Sequence, residues 1–329
     1  MLLIAYRQPD TIARAIRAAL AQTYSPLEII ASDDASDDAT FAAMQAALAG
    51  YTGPHRIVLN RNPHNLGIGA HLSHLVGLSS GELLFVTAGD DVSLPQRCEV
   101  VVQAWIAHDC RPDLIASALF DMDAAGGLHA TILPSDLQRY RSVVDWLADP
   151  PFAVGAAQAW TRRLFDRFGP LPAGVVAEDL LMVFRAIAGA SPDADGGGGR
   201  GGAISLPEAL VGYGRGGLSR RVRNLRAQDV VERVLKNNRH ALIEHEHLLR
   251  DAAVAGQLDM VQAAFDTKLR RERFIRDVFA PSGRGRKIGV ALRAGGVPIG
   301  VRLRMGLYAA LPEIYAPFFF AKRMLTRHD

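Results

Sequence analysis

Cysteine is scarce: Cys98 and Cys110 are the only two in 329 residues. Their spacing fits neither a disulfide framework nor a thiolate metal site, and it points to a reducing compartment. Long apolar runs are missing too. None reaches the roughly 20 residues that a membrane-spanning helix needs. No leader peptide is expected, because Met1 stands almost inside the first apolar strand. The glycine-rich run that ends at Gly202 lacks the Lys-Ser or Lys-Thr of a phosphate-binding loop and reads as a disordered segment or surface insertion. Excess charge of one sign is absent overall, with a formal net charge of +3. Residues 284–329, however, carry nine basic side chains against Glu313 and Asp329, a net +7 that leaves −4 for the rest. The bulk of the chain is therefore no basic nucleic-acid binder.

What is present is a globular composition, 49% hydrophobic and 22% charged. The length suggests one large domain with additions, or two domains. Apolar strands are predicted at Met1–Tyr6, Leu27–Ala31, Arg56–Leu59 and from Gly81 onward. Helical stretches fall between them: one after Asp10 with Ile12, Ile16 and Leu20 on one face, then Ala39–Leu48 and Gly69–Leu78. This βαβαβαβ alternation predicts a doubly wound, mostly parallel sheet flanked by helices. A helix from Pro95 to His108 follows, with Val101, Val102, Trp105 and Ile106 as core candidates, then a strand over Leu114–Phe120. Ala227–Arg250 and Leu258–Val278 read as two long amphipathic helices. Leu235, Leu242, Leu248 and Leu249 mark one apolar face, and Met260, Phe265, Leu269 and Ile275 the other. His240, His245 and His247 beside Glu244 and Glu246 read as a solvated face.

Two strands end in doubled acids. Leu83–Ala88 leads into Gly89-Asp90-Asp91, and the second strand leads into Asp33-Asp34. In a parallel sheet both loops open on the same edge, where such sheets bind ligands. Adjacent carboxylates repel unless a cation or donor groups compensate, and hard divalent cations that bridge to phosphate oxygens do this. Capping of the next helix accounts for Asp37 or Asp38 but leaves Asp33-Asp34 in surplus. A later acidic pair, Glu178-Asp179, opens another helix.

The ordered set Ala5-Tyr6, Leu20-Ala21-Gln22-Thr23-Tyr24, Glu28 to Asp38, Asn65-Leu66-Gly67, Gly81-Glu82, Asp90-Asp91 and Leu94-Pro95 resembles the start of a family 2 glycosyltransferase of the GT-A fold, of the bacterial surface-polysaccharide type. The resemblance implies inverting transfer of a hexosyl or hexosaminyl group from a nucleotide-diphosphate sugar, with UDP as the expected nucleotide and Mn²⁺ or Mg²⁺ as cofactor. The acceptor would be a hydroxyl of a glycan or lipid-linked sugar. On the family pattern, Ala5 and Tyr6 with Asp33 or Asp34 hold base and ribose, and Asn65 and Gly67 line the nucleotide pocket. Asp90 faces ribose or metal, Asp91 holds the metal, and Arg215 reaches the diphosphate. Asp179 is the general base and Glu178 orients it. Gly155 lies in the segment between donor and acceptor sites, and Trp160 reads as core or as a sugar-stacking platform. Ala88 stands where the family's earliest aspartate is common, and Gly214 and Gly216 replace a usual Arg and His. Those departures keep two rivals in view, a catalytically degenerate carbohydrate- or nucleotide-binding relative and a sugar nucleotidyltransferase. The second would carry a glycine-rich basic loop after the first strand, and Ala5 to Asp10 has none.

The expected organisation is a transferase domain over 1–220, a helical pair over 221–283 and a basic amphipathic tail over 284–329. The tail suits either packing on the domain or an anionic membrane surface, the latter making a cytoplasmic enzyme peripheral to the inner face.

Overall fold

The computed structural model describes residues 1–190, 201–214 and 227–313. The glycine-rich run up to residue 200, Arg215, Gly216 and the end of the tail lie outside them. The chain divides into two compact units. One comprises Met1–Arg220 with Arg250–Met260, the other Arg221–Leu249 with Val261–Asp329.

The first unit is built on one nine-stranded sheet. Its chain order is β1 (Leu2–Ala5), α1 (Ile12–Leu20), β2 (Glu28–Asp33), α2 (Thr40–Leu48), β3 (Arg56–Arg61), α3 (Ile68–Leu78), β4 (Leu83–Ala88) and β5 (Val92–Ser93). There follow α4 (Arg97–Ala107), β6 (Leu114–Met122), β7 (Leu128–Ile132), α5 (Val143–Ala148), β8 (Gln158–Thr161), α6 (Arg162–Phe168), α7 (Glu178–Gly189) and β9 (Ala203–Gly214). In space the strands run β3-β2-β1-β4-β8-β6-β9-β5, with β7 on β6.

The predicted alternation accounts for the parallel half, β3-β2-β1-β4. Beyond β4 the sheet is mixed: β8 is antiparallel to both β4 and β6, β9 is parallel to β6, and β5 is antiparallel to β9. The chain reverses on either side of β1, which makes a topological switch point at the carboxyl ends of β1 and β4.

The core fills one face of this sheet. Leu3, Ile29 and Phe85 from the strands meet Ile12, Ile16, Met44, Cys98 and Val101 from the helices. Apolar residues of α1 recur at helical spacing, and Ile12, Ala15, Ile16 and Ala19 are all buried. In α4 the buried face is Cys98, Val101 and Trp105. Ile106, expected in the core, is 60% exposed, because one step of about 100° carries it off that face. Burial pushes the Cys98 thiol up to about 11, so it stays protonated and unreactive. Trp160 is fully buried with its indole N–H donated to Gln158 Oε1, which makes it a core residue.

The second unit is helical. α8 (Ala227–Val254) contributes its first part, followed by α9 (Leu258–Phe279), α10 (Arg284–Arg293) and α11 (Ile299–Ala310). Phe274, Ile275, Val278 and Phe279 of α9 gather with Ala291, Met305 and Ala309. Met260, expected on the apolar face of α9, is half exposed, and Val261 beside it is buried instead. The α8 histidines are not a solvated face: His240, His245 and His247 are all partly buried, and the His245 ring lies 5.8 Å from that of Phe265. No described helix is long and apolar enough to cross a membrane.

Candidate active site

The loops after β1, β2 and β4 meet at the switch point. Two of them carry non-glycine residues in the left-handed region, Arg7 at φ 53° and Ala35 at φ 59°. Such conformations are costly and collect where a loop is over-determined by its contacts. Arg7 is held by a two-pronged pair with Asp37 and by its backbone N–H on Ser36 Oγ. Its guanidinium lies 5.2 Å from the ring of Tyr6, which is 41% exposed. Asp38, just before α2, accepts from the Thr40 backbone N–H and hydroxyl, while Asp37 pairs with Arg7.

Asp33 and Asp34 are both buried and both engaged. Asp33 accepts from the Ser36 backbone N–H and hydroxyl and pairs with Arg61 at 3.3 Å. Asp34 accepts from Asn62 Nδ2, Leu66 N–H and Gly67 N–H at 2.7, 2.9 and 2.9 Å. Its own backbone N–H binds the carbonyl of Ala5. Asn65 donates to the Asp34 carbonyl. Five of the residues singled out in the sequence are thus brought together: Ala5, Asp33, Asp34, Asn65 and Gly67. Their mutual bonds shape the loops, and the carboxylates brace them. Asn65 and the neighbouring Tyr6 are exposed.

Asp90 and Asp91 follow β4, and both are buried. Gln8 Nε2 donates to Asp90 Oδ1 at 2.8 Å, and the Gly214 backbone N–H donates to Asp91 Oδ1 at 2.7 Å. Burial first, and then the charge of Asp90, hold the Asp91 carboxyl well above the ordinary carboxylate range. The two glycines here answer to contact. A Cβ on Gly89 would come within 2.5 Å of Gln8 Oε1, and one on Gly214 within 2.2 Å of the Asp90 carbonyl oxygen. Gly214, a departure from the family pattern, is the residue that lets β9 touch the acidic loop.

Beneath this pair sits a residue that the sequence reading passed over. Arg97 is fully buried and donates to Ser93 Oγ, the Val86 carbonyl and the Gln158 carbonyl. Burial lowers its pKa only to about 10, so it remains a cation at neutral pH, and Asp91 feels its charge. Gln158 continues the link, with Nε2 donating to the carbonyls of Ala153 and Asp179.

Glu178 and Asp179 open α7. The antiparallel register pairs Phe85 with Ala159, and its continuation carries the end of β4 toward Ala156 and Gly155. A Cβ on Gly155 would come within 2.8 Å of Glu178 Oε1 and 3.4 Å of the Asp179 Cβ. The two acidic pairs therefore converge on one edge of the sheet, joined through Arg97, Gln158 and the turn at Gly155. Burial, then the charge of Asp179, pushes the Glu178 carboxyl up to about 8. Burial also raises Asp179, against the opposing pull of the Leu180 and Gly155 backbone N–H groups. Those donors favour the ionised form of Asp179, so at neutral pH the pair's proton rests on Glu178.

This has a consequence for stability. A carboxyl raised from 4.5 to about 8 in the folded state binds its proton more tightly there, so stability falls as pH rises through that window. Glu178→Gln is expected to flatten the fall, and near pH 9 to exceed the parent by on the order of 1–3 kcal/mol. Urea unfolding of both proteins at acid and alkaline pH measures it, and parallel pH profiles would show that Glu178 titrates normally.

A divalent cation fits the Asp90-Asp91 donor set. The ligands are hard oxygens, adjacent and buried, and the burial and the repulsion that together raise Asp91 are what a bound cation offsets. Among the described residues no three His, Cys, Asp or Glu side chains gather into a metal cluster. Further ligands would come from diphosphate oxygens and water.

Residues 1–113 match the family model described as Glycosyl transferase family 2. The chain is 32% identical over 130 residues to "Putative glycosyltransferase EpsE" of Bacillus subtilis (strain 168), covering 40% of this chain and 46% of that protein. It is 34% identical over 99 residues to "Succinoglycan biosynthesis protein ExoO" of Rhizobium meliloti (strain 1021), covering 30% and 27%. The matches span less than half of either curated relative. Among solved structures, the mannosyltransferase PcManGT from Pyrobaculum calidifontis, in complex with GDP-Man and Mn²⁺, superposes with a TM-score of 0.51 at 17% identity, covering 96% of this chain and 81% of that one. S. aureus TarS 1-349 in complex with UDP-GlcNAc gives 0.50 at 15% identity, covering 95% and 88%. These likenesses establish the GT-A fold.

Proposed function

We propose that this chain, whose residues 1–113 match the model described as Glycosyl transferase family 2, transfers a sugar from a nucleotide-diphosphate sugar to a hydroxyl of a glycan or lipid-linked acceptor, with inversion, in cell-surface polysaccharide biosynthesis. The observation that carries this reading is the meeting of two acidic pairs on one sheet edge, one suited to a cation and one sharing a proton.

The acceptor hydroxyl must lose its proton as its oxygen attacks the anomeric carbon from the face opposite the diphosphate. Asp179 takes that proton. The new C–O bond forms as the bond to the diphosphate breaks, and the diphosphate leaves with the electron pair. Glu178, protonated, keeps a second negative charge away from Asp179 and fixes its position. A Mn²⁺ or Mg²⁺ ion held by Asp91 and Asp90 would neutralise the charge left on the diphosphate. Tyr6 offers its exposed ring to the base, on a loop braced by Asp33, Asp34, Asn65 and Gly67. Arg97 adds a fixed positive charge below the acids. Arg215, outside the described residues, follows Gly214 directly and is the candidate for the diphosphate. The donor is a cytoplasmic metabolite, and the enzyme works there.

Calorimetric titration with UDP, GDP, CDP and dTDP, each with and without Mn²⁺, tests the donor site. Metal-dependent binding of one nucleotide, UDP first among them, is the expected result. A folded protein that binds none would make it a degenerate relative.

A further inference from the structure

The helices α10 and α11 form an antiparallel hairpin within the second unit. Lys287 Nζ donates to the Ala309 carbonyl, and Arg302 to the carbonyls of Ala291 and Leu292. A Cβ on Gly306 would lie 2.7 Å from the Ala291 methyl, so the two backbones approach closely there. These contacts fix which way each helix faces. Ile288 and Leu292 each lie one residue past a contact position, Lys287 and Ala291. Leu303 and Leu307 each lie one residue past Arg302 and Gly306. One residue is a turn of about 100°. In two antiparallel helices, equal turns from the mutual contact lead to the same side of the hairpin. Ile299, four residues before Leu303, extends the row.

All five are exposed: Ile288 by 47%, Leu292 by 60%, Ile299 by 69%, Leu303 by 58% and Leu307 by 46%. A contiguous apolar row of this kind marks an interaction surface. The charges around it identify the partner. Residues 284–310 contain six basic side chains and no acidic one. The nearest acid in the sequence, Glu313, lies 3.9 Å from Arg284. Arg284, four residues before Ile288, and Arg304, one residue past Leu303, are exposed beside the row.

We propose that this face of the α10–α11 hairpin lies on an anionic lipid surface, with the five aliphatic side chains in the acyl boundary and Arg284 and Arg304 among the headgroup phosphates. A helix pair of this length cannot span a bilayer, but an apolar row edged by cations suits the interface. A protein partner would have to match an apolar row and a concentrated positive charge together, whereas an anionic membrane presents both everywhere.

The test is co-sedimentation of the full chain with vesicles of phosphatidylcholine, alone or mixed with phosphatidylglycerol. Binding to the mixed vesicles only, weakened by salt, is expected. The double variant Leu292→Glu with Leu303→Glu should lower the bound fraction about tenfold or more with unchanged circular dichroism. Should that variant not fold, Arg284→Glu with Arg304→Glu, at exposed positions, replaces it with the same expected loss. Equal binding to both vesicle types, no binding, or a variant that binds like the parent overturns the proposal. So does a dimer of the parent chain that the same variant dissociates, since a second copy would then cover the face. Nucleotide titration reads none of this, so the donor-site reading and the membrane face stand or fall separately.

Discussion

Asp179→Asn is expected to lower kcat by about 10²–10⁴-fold while leaving nucleotide affinity within about twofold. The amide keeps the shape and an acceptor oxygen for the Leu180 N–H, which lies 2.8 Å from Asp179 Oδ1, but it cannot take a proton. Glu178 limits the loss. The Asp179 charge is part of what holds its carboxyl up at about 8, so removing that charge lets Glu178 ionise more readily and serve as a weaker, displaced base. The variant's residual rate should therefore rise with pH over a range in which the parent's is flat. A coupled assay of nucleotide release, alongside calorimetric nucleotide binding, separates the outcomes. Loss of rate and binding together would make Asp179 a structural residue, and a full rate would put the base elsewhere.

The second large effect lies below the same helix. Arg185 is 1% exposed and pairs with Asp251, which is fully buried, at 2.7 Å, while also donating to the Gly169 carbonyl. Removing one partner of such a pair leaves an uncompensated buried charge, whose cost is about 3–5 kcal/mol. Asp251→Ala should cost that much in urea unfolding. Replacing both residues with leucine should recover most of it, because the penalty belongs to the stranded charge. If Asp251→Ala unfolds within about 1 kcal/mol of the parent, water reaches Arg185 and the pair is not desolvated. The test matters for function because α7 carries Glu178 and Asp179 at its first turn.

The sequence made half of the sheet legible. β1 to β4 alternate with helices whose apolar faces repeat at helical spacing, so each element announces itself locally. β8 has four residues and β5 only two, and their partners lie far away in the chain, as in the pairing of Val92 with Gly212. No local pattern encodes that. The acidic pairs were legible by type and position. Gln8, Arg97 and Gln158 were not, because each acts through contacts that only the folded chain creates. A signal did exist for Arg185, a lone cation amid Leu180-Leu181-Met182-Val183-Phe184 and Ala186-Ile187. A charge in such a run implies a buried partner. The surplus acids Asp33 and Asp34 point to the right loop, yet composition could not tell that amides and an arginine already occupy their oxygens.

The bonds around Asp34 reach further than the residue itself. Asn62 touches Asn60, Asn60 touches Ser32, and Ser32 lies 2.6 Å from the buried His71 imidazole, which burial holds neutral with its pKa down at about 4. The segments after β1, β2 and β3 are thereby ordered before any ligand arrives. The entropy of arranging them is lost during folding, so on the proposed donor-site reading a nucleotide would meet a finished mould and spend little of its affinity on ordering loops. On the same reading, the rigidity restricts how the mould could be altered: a different base would have to be accommodated by exchanging exposed side chains such as Tyr6, while the backbone beneath stays as it is.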